Sequence, residues 1–432
     1  MNSTYDFQYF QGNSFSDLFA EDIKDARCAF ILNYPATASW AAYPNTKKYF
    51  IQDGSSEATK TSFDKICQKE PWKNLAVLGD ALPGVVIIEP QKLLIDYWRE
   101  HFGFSYSNME LIDCSTYLDE LSKSDTPSQS LRDRVDNVIT LFPFDNLKPE
   151  KHAVNPDTHY HLLSKATLAE LGVQCPKYES YNLHQVSLED IKLPEQFPYL
   201  IKTSHGLSGE GTYIIKSASD LNYCLEELRK YLNIELLDTI IVSEFVKNAV
   251  ENYCVQFYVN KAGEITLIGT TTQLVTEEGN YLGGLIHYRH TDMSRFFEMI
   301  AAVGEYAHQQ GYFGVIGFDV LEDKDGQLYA IDANFRVNGS TPLCLQRHTL
   351  LGLGKEVAKY SSDYRMDGTL DSILVTLKPE LDRKDFIILS ALEKVKYGKI
   401  YTDIYGIVTG ETVDQMQHIE QNLQNKGLQL LS

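Results

Sequence analysis

The chain has 432 residues, a formal net charge of −20, and 43% hydrophobic against 23% charged residues, a length and balance that suit roughly two to four globular domains. So acidic a chain is a poor match for nucleic acid or an anionic membrane surface, which both attract basic proteins. No cationic and apolar leader follows Met1, and no stretch approaches the ~18 uninterrupted apolar residues of a membrane span, so we expect a cytoplasmic protein.

The 7 cysteines are scattered and form no CxxC pair, which argues against a disulfide framework and against structural zinc. From residue 1 to about 150, short apolar runs alternate with amphipathic segments. The runs 26–34, 75–78, 85–88, 109–113 and 138–142 read as strands, and the helical spacing of Leu94, Tyr97, Trp98 and Phe102 gives a helix after Pro90. Strands alternating with helices predict a small parallel α/β sheet, a Rossmann-like domain over 1–150. No G-x-G-x-x-G follows any of these strands, so a dinucleotide site is not indicated.

The Pro, Asn, Lys and His content of 145–156 marks a domain boundary. Beyond it Asn155 caps, and Pro156 opens, a single expected helix that ends at Gly172. Two strands, 197–202 and 211–216, then flank TSHGLSGE, whose Gly206, Gly209, Gly211, Ser204 and Ser208 form a loop able to wrap phosphate oxygens, with Lys202 as a point charge beside it. The loop is neither a Walker loop nor G-x-S-x-G, and an ordinary turn between paired strands is the plainer reading.

A helix over 218–232 leads to a strand at 239–246 and to two strands paired across Lys261, Ala262 and Gly263, with Glu244 and Glu251 flanking the passage. The glycine-rich 277–290 segment reads as a loop, and its His287, Arg289 and His290 are candidates to hold an anionic substrate. After a helix over 294–310 comes GVIGFDVLEDKDGQLYAIDANFRVNGST, the most informative stretch.

Asp325-Gly326 suits a two-residue turn, which sets residue 321 opposite 330 and Asp319 opposite Asp332, on one face. Facing carboxylates destabilise a hairpin unless a cation lies between them. With the neutral oxygen of Asn334 the set is all oxygen, which suits Mg2+ or Mn2+ and not zinc. The alternative is a surface hairpin whose acids face water. From 370 onward we expect strand, helix, strand, helix, a small α+β cap over 369–432.

Lysine before a Gly/Ser loop, a strand with acids after it, and D-(x)12-D-x-N on a hairpin occur in the order typical of the ATP-grasp ligases, and the chain resembles that superfamily. Within it, ARCAFILNYP, CVQFYVNKAGEITLIGTTTQL, NGST and the tail from FIILSALEK resemble the pheganomycin-type peptide ligases. The resemblance implies an ATP-grasp domain over 151–368, its phosphate-loop part about 155–245 and its metal-hairpin part about 246–368.

It further implies that Lys202 and the loop residues Ser204, Gly206, Ser208 and Gly209 contact phosphates, that Glu244, Phe245 and Val246 contact the adenine and Glu251 the ribose, and that Asp319, Asp332 and Asn334 hold metal. Arg336 and Lys202 would act on the transferring group, and Arg289, Gly283, Gly284 and Ser340 would lie on the substrate side. Two departures stand out. The second metal carboxylate, commonly Glu, is Asp332, and a lysine usual near the start of the helix before the phosphate loop is replaced by His161, with Lys165 one turn later.

The implied reaction is ATP-dependent amide or peptide bond formation from amino acids or peptides through an acyl phosphate, with ATP and Mg2+ or Mn2+ as cofactors. Transfer to the thiol of a carrier protein, or nucleotide binding without catalysis, are the alternatives. The sequence leaves the oligomeric state open, and the resemblance implies a homodimer as the expectation.

Overall fold

The structure, a computed structural model, describes residues 5–24, 27–34, 48–51, 69–81, 84–87, 91–112, 135–145, 147–206, 209–233, 235–276, 279, 281–289 and 292–431. Within these the N-terminal sheet is parallel and four-stranded, in the order Met109–Ile112, Gly84–Ile87, Cys28–Ile31, Asn137–Thr140. The helix Lys92–Phe102 buries Leu94, Ile95, Tyr97 and Trp98 and ends at the left-handed Gly103, as its spacing requires. Residues 75–78 are not a strand. Pro71 opens a helix over Glu70–Leu75 that runs into a buried turn, a short apolar run being compatible with either outcome.

The helix expected from Asn155 to Leu171 is two. Asn155 accepts from the backbone N–H groups of Asp157 and Thr158 to cap Pro156–Leu162, and Ser164 then caps a separate 3-10 turn, Lys165–Leu171. The break turns Lys165 and His161 in different directions. A four-stranded antiparallel sheet follows, in the order Tyr178–Asn182, Thr239–Glu244, Tyr199–Thr203, Thr212–Ile215. It buries Ile201, Ile215 and Ile240 with Cys224 and Leu228 of the helix Ala218–Asn233.

The largest sheet has ten strands, eight of them in one path that starts with Leu328–Asn334, Gly314–Asp323, Ala249–Val259 and Ile265–Val275. It continues through Tyr281–His287, Val357–Asp367, Lys399–Gly410 and Phe386–Lys396. Three expectations fail here. Tyr281–His287 is a strand and not a loop, and its glycines serve packing: a Cβ on Gly283 would lie 2.0 Å from the Tyr360 carbonyl oxygen.

Leu370–Thr376 is a helix, capped by Thr369 and burying Leu370 and Ile373 at helical spacing. Phe386–Lys396 is a strand buried on both faces at its start, where a continuous apolar run hides the period of two. The C-terminal strands therefore extend the central sheet. The N-terminal domain docks on them through Trp98, whose indole N–H donates to the Ile388 carbonyl at 2.9 Å.

The central hairpin sets Asp319 opposite Asp332, but by two offsetting irregularities. Asp323 N–H donates to the Gln327 carbonyl, so the tip holds one residue more than a two-residue turn and Leu321 faces Tyr329, not 330. A bulge at Ile331 removes that offset. Deeper in, Gly317 lies against the Asn338 amide, where a Cβ would fall 2.1 Å from Nδ2. Gly317→Ala should therefore dislodge Asn338 and cost about 1–3 kcal/mol, measured as a lower denaturation midpoint. An unchanged midpoint would contradict this packing.

Candidate functional site

One cavity of about 650 Å³ lies where the three sheets meet. On the hairpin side the alternation of the strands brings Asp319, Asp332 and Asn334 to its wall. Asp319 is flanked by Cys254 and Gln273, whose side chains donate to it, yet burial and then the Asp332 charge push its carboxyl up to about 7. Two half-buried carboxylates are thus opposed, and the nearest ammonium group, that of Lys165, sits 3.7 Å from Asp332.

Lys165 extends from the start of the 3-10 turn, with Nζ 3.5 Å from the Gly206 carbonyl, whereas His161 turns to Glu170 at 3.4 Å. Of the two candidates left open by the sequence, Lys165 lines the cavity. Lys202 also lines it, donating to the Ile331 carbonyl at 3.0 Å. The bulge that resets the hairpin register is thus tied to this lysine. Burial, and then Lys165, lower the Lys202 ammonium, while Asp332 and Asp319 hold it up.

Arg336 is fixed beside Asn334. Its Nη2 donates to Asn334 Oδ1 at 2.7 Å, and its Nη1 donates to the Val337 carbonyl at 3.0 Å and to the Tyr34 hydroxyl at 3.4 Å. Beneath it lies a buried polar floor. Thr341 Oγ1 donates to Gln256 Oε1 at 2.6 Å, and Gln256 Nε2 donates to Ser340 Oγ at 2.8 Å, so the turn after Arg336 is bonded to the sheet.

The remaining expected residues divide. Gly206, Gly209, Glu244, Phe245, Val246 and Ser340 line the cavity, the first two from the loop and the next three from the end of the Thr239–Glu244 strand. Ser204 is buried and donates to Asp238 at 3.2 Å, while His205 stacks on Tyr160 at 3.8 Å between centroids, so both hold the loop from behind. Ser208 and His290 lie outside the described residues.

Glu251 is exposed and outside the cavity lining, where its neighbour Asn252 is found instead. Arg289 pairs with Glu356 at 2.6 Å on the surface, and Gly283 and Gly284 are interior strand positions outside the lining. Residues that sequence reasoning missed include Gln273 and Cys254, which alternate onto the wall from interior strands, and Tyr34, Glu70, Lys73 and Tyr360 from the flanking domains. No local motif marks them; only the tertiary arrangement does.

The donor set fits a hard divalent cation. Two carboxylates and an amide oxygen are gathered in a half-buried wall with like charges opposed. Asn252 Oδ1 and Arg336 Nε, both buried on cavity-lining residues, have no hydrogen-bond partner among the described residues, which suits a polar ligand. A slot bordered by Pro176, Leu200, Ile214, Leu321 and Ile331 beside the Glu244–Val246 segment offers apolar walls for a flat base.

The Asp319 carboxyl has a measurable consequence. Because its folded value near 7 lies above the ordinary 3.8, the folded chain binds the extra proton, and stability without divalent ions should fall as pH rises from about 4 to 7 and then level off. The drop is at most about 4 kcal/mol. In EDTA, Asp319→Asn should flatten this slope in denaturant titrations run across that window, and an unaltered slope would refute the assignment.

Residues 176–334 match the family model described as L-aspartate–L-methionine ligase, ATP grasp. Among solved structures, N5-carboxyaminoimidazole synthetase from Staphylococcus aureus complexed with ADP is 13% identical, with 97% of this chain and 99% of that chain covered and a TM-score of 0.51. An L-amino acid ligase from Bacillus licheniformis is 12% identical, covering 81% of this chain and 98% of that chain, also with a TM-score of 0.51. At such identities the likeness to these structures shows the fold, which is ATP-grasp.

Proposed function

We propose that this chain, which has the ATP-grasp fold and matches an ATP-grasp ligase model over residues 176–334, joins the carboxylate of one amino acid to the amine of another, consuming ATP and releasing ADP and phosphate. The observation that carries this reading is the opposed Asp319 and Asp332 pair, ringed by Lys165, Lys202 and Arg336 in the same cavity. The family description names L-aspartate and L-methionine, which makes that pair the first to test.

The adenine would lie in the apolar slot against Glu244, Phe245 and Val246. Lys202, Lys165 and the backbone around Gly206 and Gly209 would hold the phosphates. Asp319, Asp332 and Asn334 would hold Mg2+ or Mn2+, which supplies charge neutralisation at the β- and γ-phosphate oxygens. The donor carboxylate attacks the γ-phosphorus, ADP leaves, and an acyl phosphate results. The amine nitrogen then attacks the acyl carbon, inorganic phosphate departs, and the amine proton passes to solvent.

Arg336, immobilised by Asn334, Val337 and Tyr34, stabilises the charge on the phosphoryl group in both steps. Its fixed position means that little reorganisation is needed as that charge develops. Lys202 acts on the same oxygens from the Tyr199–Thr203 strand of the four-stranded antiparallel sheet.

The test is ADP release with ATP and Mg2+ across a panel of amino acids, with hydroxylamine present to trap an acyl phosphate. ADP together with hydroxamate from one donor supports the reading. Turnover that requires a phosphopantetheinylated carrier would move the acceptor to a thiol, and nucleotide binding with no carboxylate-dependent ADP would overturn the ligase assignment. Asp332→Asn should lower turnover at least about 100-fold with the melting profile retained, a loss of the scale expected when a transition-state charge contact goes. Near-normal turnover would refute the metal role.

A further inference from the structure

The cavity has a second charged region that the phosphate chemistry does not use. On the helix Glu70–Leu75 of the N-terminal domain, Glu70 and Lys73 form an ion pair and both line the cavity. Their side chains are only 14% and 4% exposed. Taking a carboxylate and an ammonium out of water costs more than a simple contact returns. Packing does not call for it, since Trp72 and Leu75 already anchor the helix, both at 0% exposure.

The pair faces a wall of tyrosines. Lys73 Nζ lies 5.7 Å from the ring centres of both Tyr360 and Tyr405, and Tyr281 and Tyr34 complete the wall on the hairpin side. Burial first, with the Glu70 charge adding, pushes the phenols of Tyr34, Tyr281, Tyr360 and Tyr405 upward, so the rings stay neutral around the pair. Tyr34 also ties this region to the reaction centre: its hydroxyl accepts from Arg336, and its ring lies 5.7 Å from the guanidinium. Asn334, Arg336 and Tyr34 are thus joined by hydrogen bonds, and Glu70 with Lys73 line the same cavity.

Resting on the ligase reading above, we propose that Glu70 and Lys73 recognise the acceptor as a free amino-acid zwitterion, Glu70 receiving its α-ammonium group, which gives up one proton to solvent before the neutral amine attacks, and Lys73 its α-carboxylate. Two opposite charges held side by side match a ligand whose own opposite charges are one carbon apart, and neutral aromatic walls strengthen the contact with its ammonium. An acceptor whose carboxyl is esterified or already in an amide is a cation, and it brings a net positive charge into a nearly dry wall where Glu70 already offsets Lys73, so peptides and carrier-bound acceptors are selected against. The product is then a dipeptide with a free C-terminal carboxylate, and it does not serve as the next acceptor's extension point.

The experiment compares each productive acceptor amino acid with its methyl ester and its amide in the wild-type protein, at saturating ATP and donor. We expect kcat/KM for the free acid to exceed that for either neutralised form by at least about 30-fold, roughly the weight of a charge-assisted contact. In Lys73→Met this preference should shrink to within about 3-fold. In Glu70→Gln, KM for the acceptor should rise by at least about 10-fold while KM for ATP stays within about 2-fold.

Because removing one member of a buried pair can destabilise the fold, the double variant Glu70→Gln/Lys73→Met, which leaves no lone charge, is measured alongside. The wild-type comparison needs no variant at all. Equal use of acid, ester and amide by the wild type overturns the inference while leaving the ligase reading in place. So does a double variant with unaltered acceptor KM, which would make the pair a structural clamp. Absence of any amino-acid-dependent ADP would remove the ligase reading itself, and this inference with it.

Discussion

The arrangement depends on the opposition of two carboxylates across one hairpin. Asp319 and Asp332 face each other in a half-buried wall, where their repulsion is screened far less than at a surface. Burial and this repulsion raise Asp319 to about 7, so a cation taken up between the pair, as proposed, would displace a proton. The bulge at Ile331 restores the facing register after an enlarged turn, and it presents the carbonyl that holds Lys202. A regular hairpin built on the same tip would set these acids out of register.

The cavity draws on every part of the chain. The antiparallel sheet of the 178–244 region supplies Lys202 and one wall of the apolar slot, and the central sheet supplies the acids and the Gln256, Ser340 and Thr341 floor. The N-terminal domain supplies Tyr34, Glu70 and Lys73, and the C-terminal strands seat that domain through Trp98 and Ile388. On the proposed function, nucleotide, phosphoryl group, donor and acceptor would occupy the apolar slot, the acids, Arg336 and the tyrosine wall, an arrangement that would suit in-line transfer and then capture by an amine. Among the described residues no helix is long and apolar enough to cross a membrane.

Local signals carried the sequence reading where one face was buried and the other was not. Asp325-Gly326 and the alternating residues around it located the hairpin, and Asn155 with Pro156 located a helix start. The reading failed where burial on both faces erased the period, as in Phe386–Lys396, and where glycine served close packing instead of a loop, as at Gly283. It also failed at Ser164, a cap that cut one expected helix in two and so put Lys165, and not His161, on the cavity wall. Glu70 and Lys73 were out of reach because their significance comes only from the sheet they face.

The most direct measurement is Mn2+ binding in the presence of a non-hydrolysable ATP analogue, followed by electron paramagnetic resonance. The wild-type protein should bind the ion with a proton released near neutral pH, and Asp319→Asn and Asp332→Asn should each weaken binding at least about 30-fold, the weight of a lost charged ligand. Equal Mn2+ affinity in all three proteins would contradict the account, because the opposed carboxylates would then have no cation to justify them.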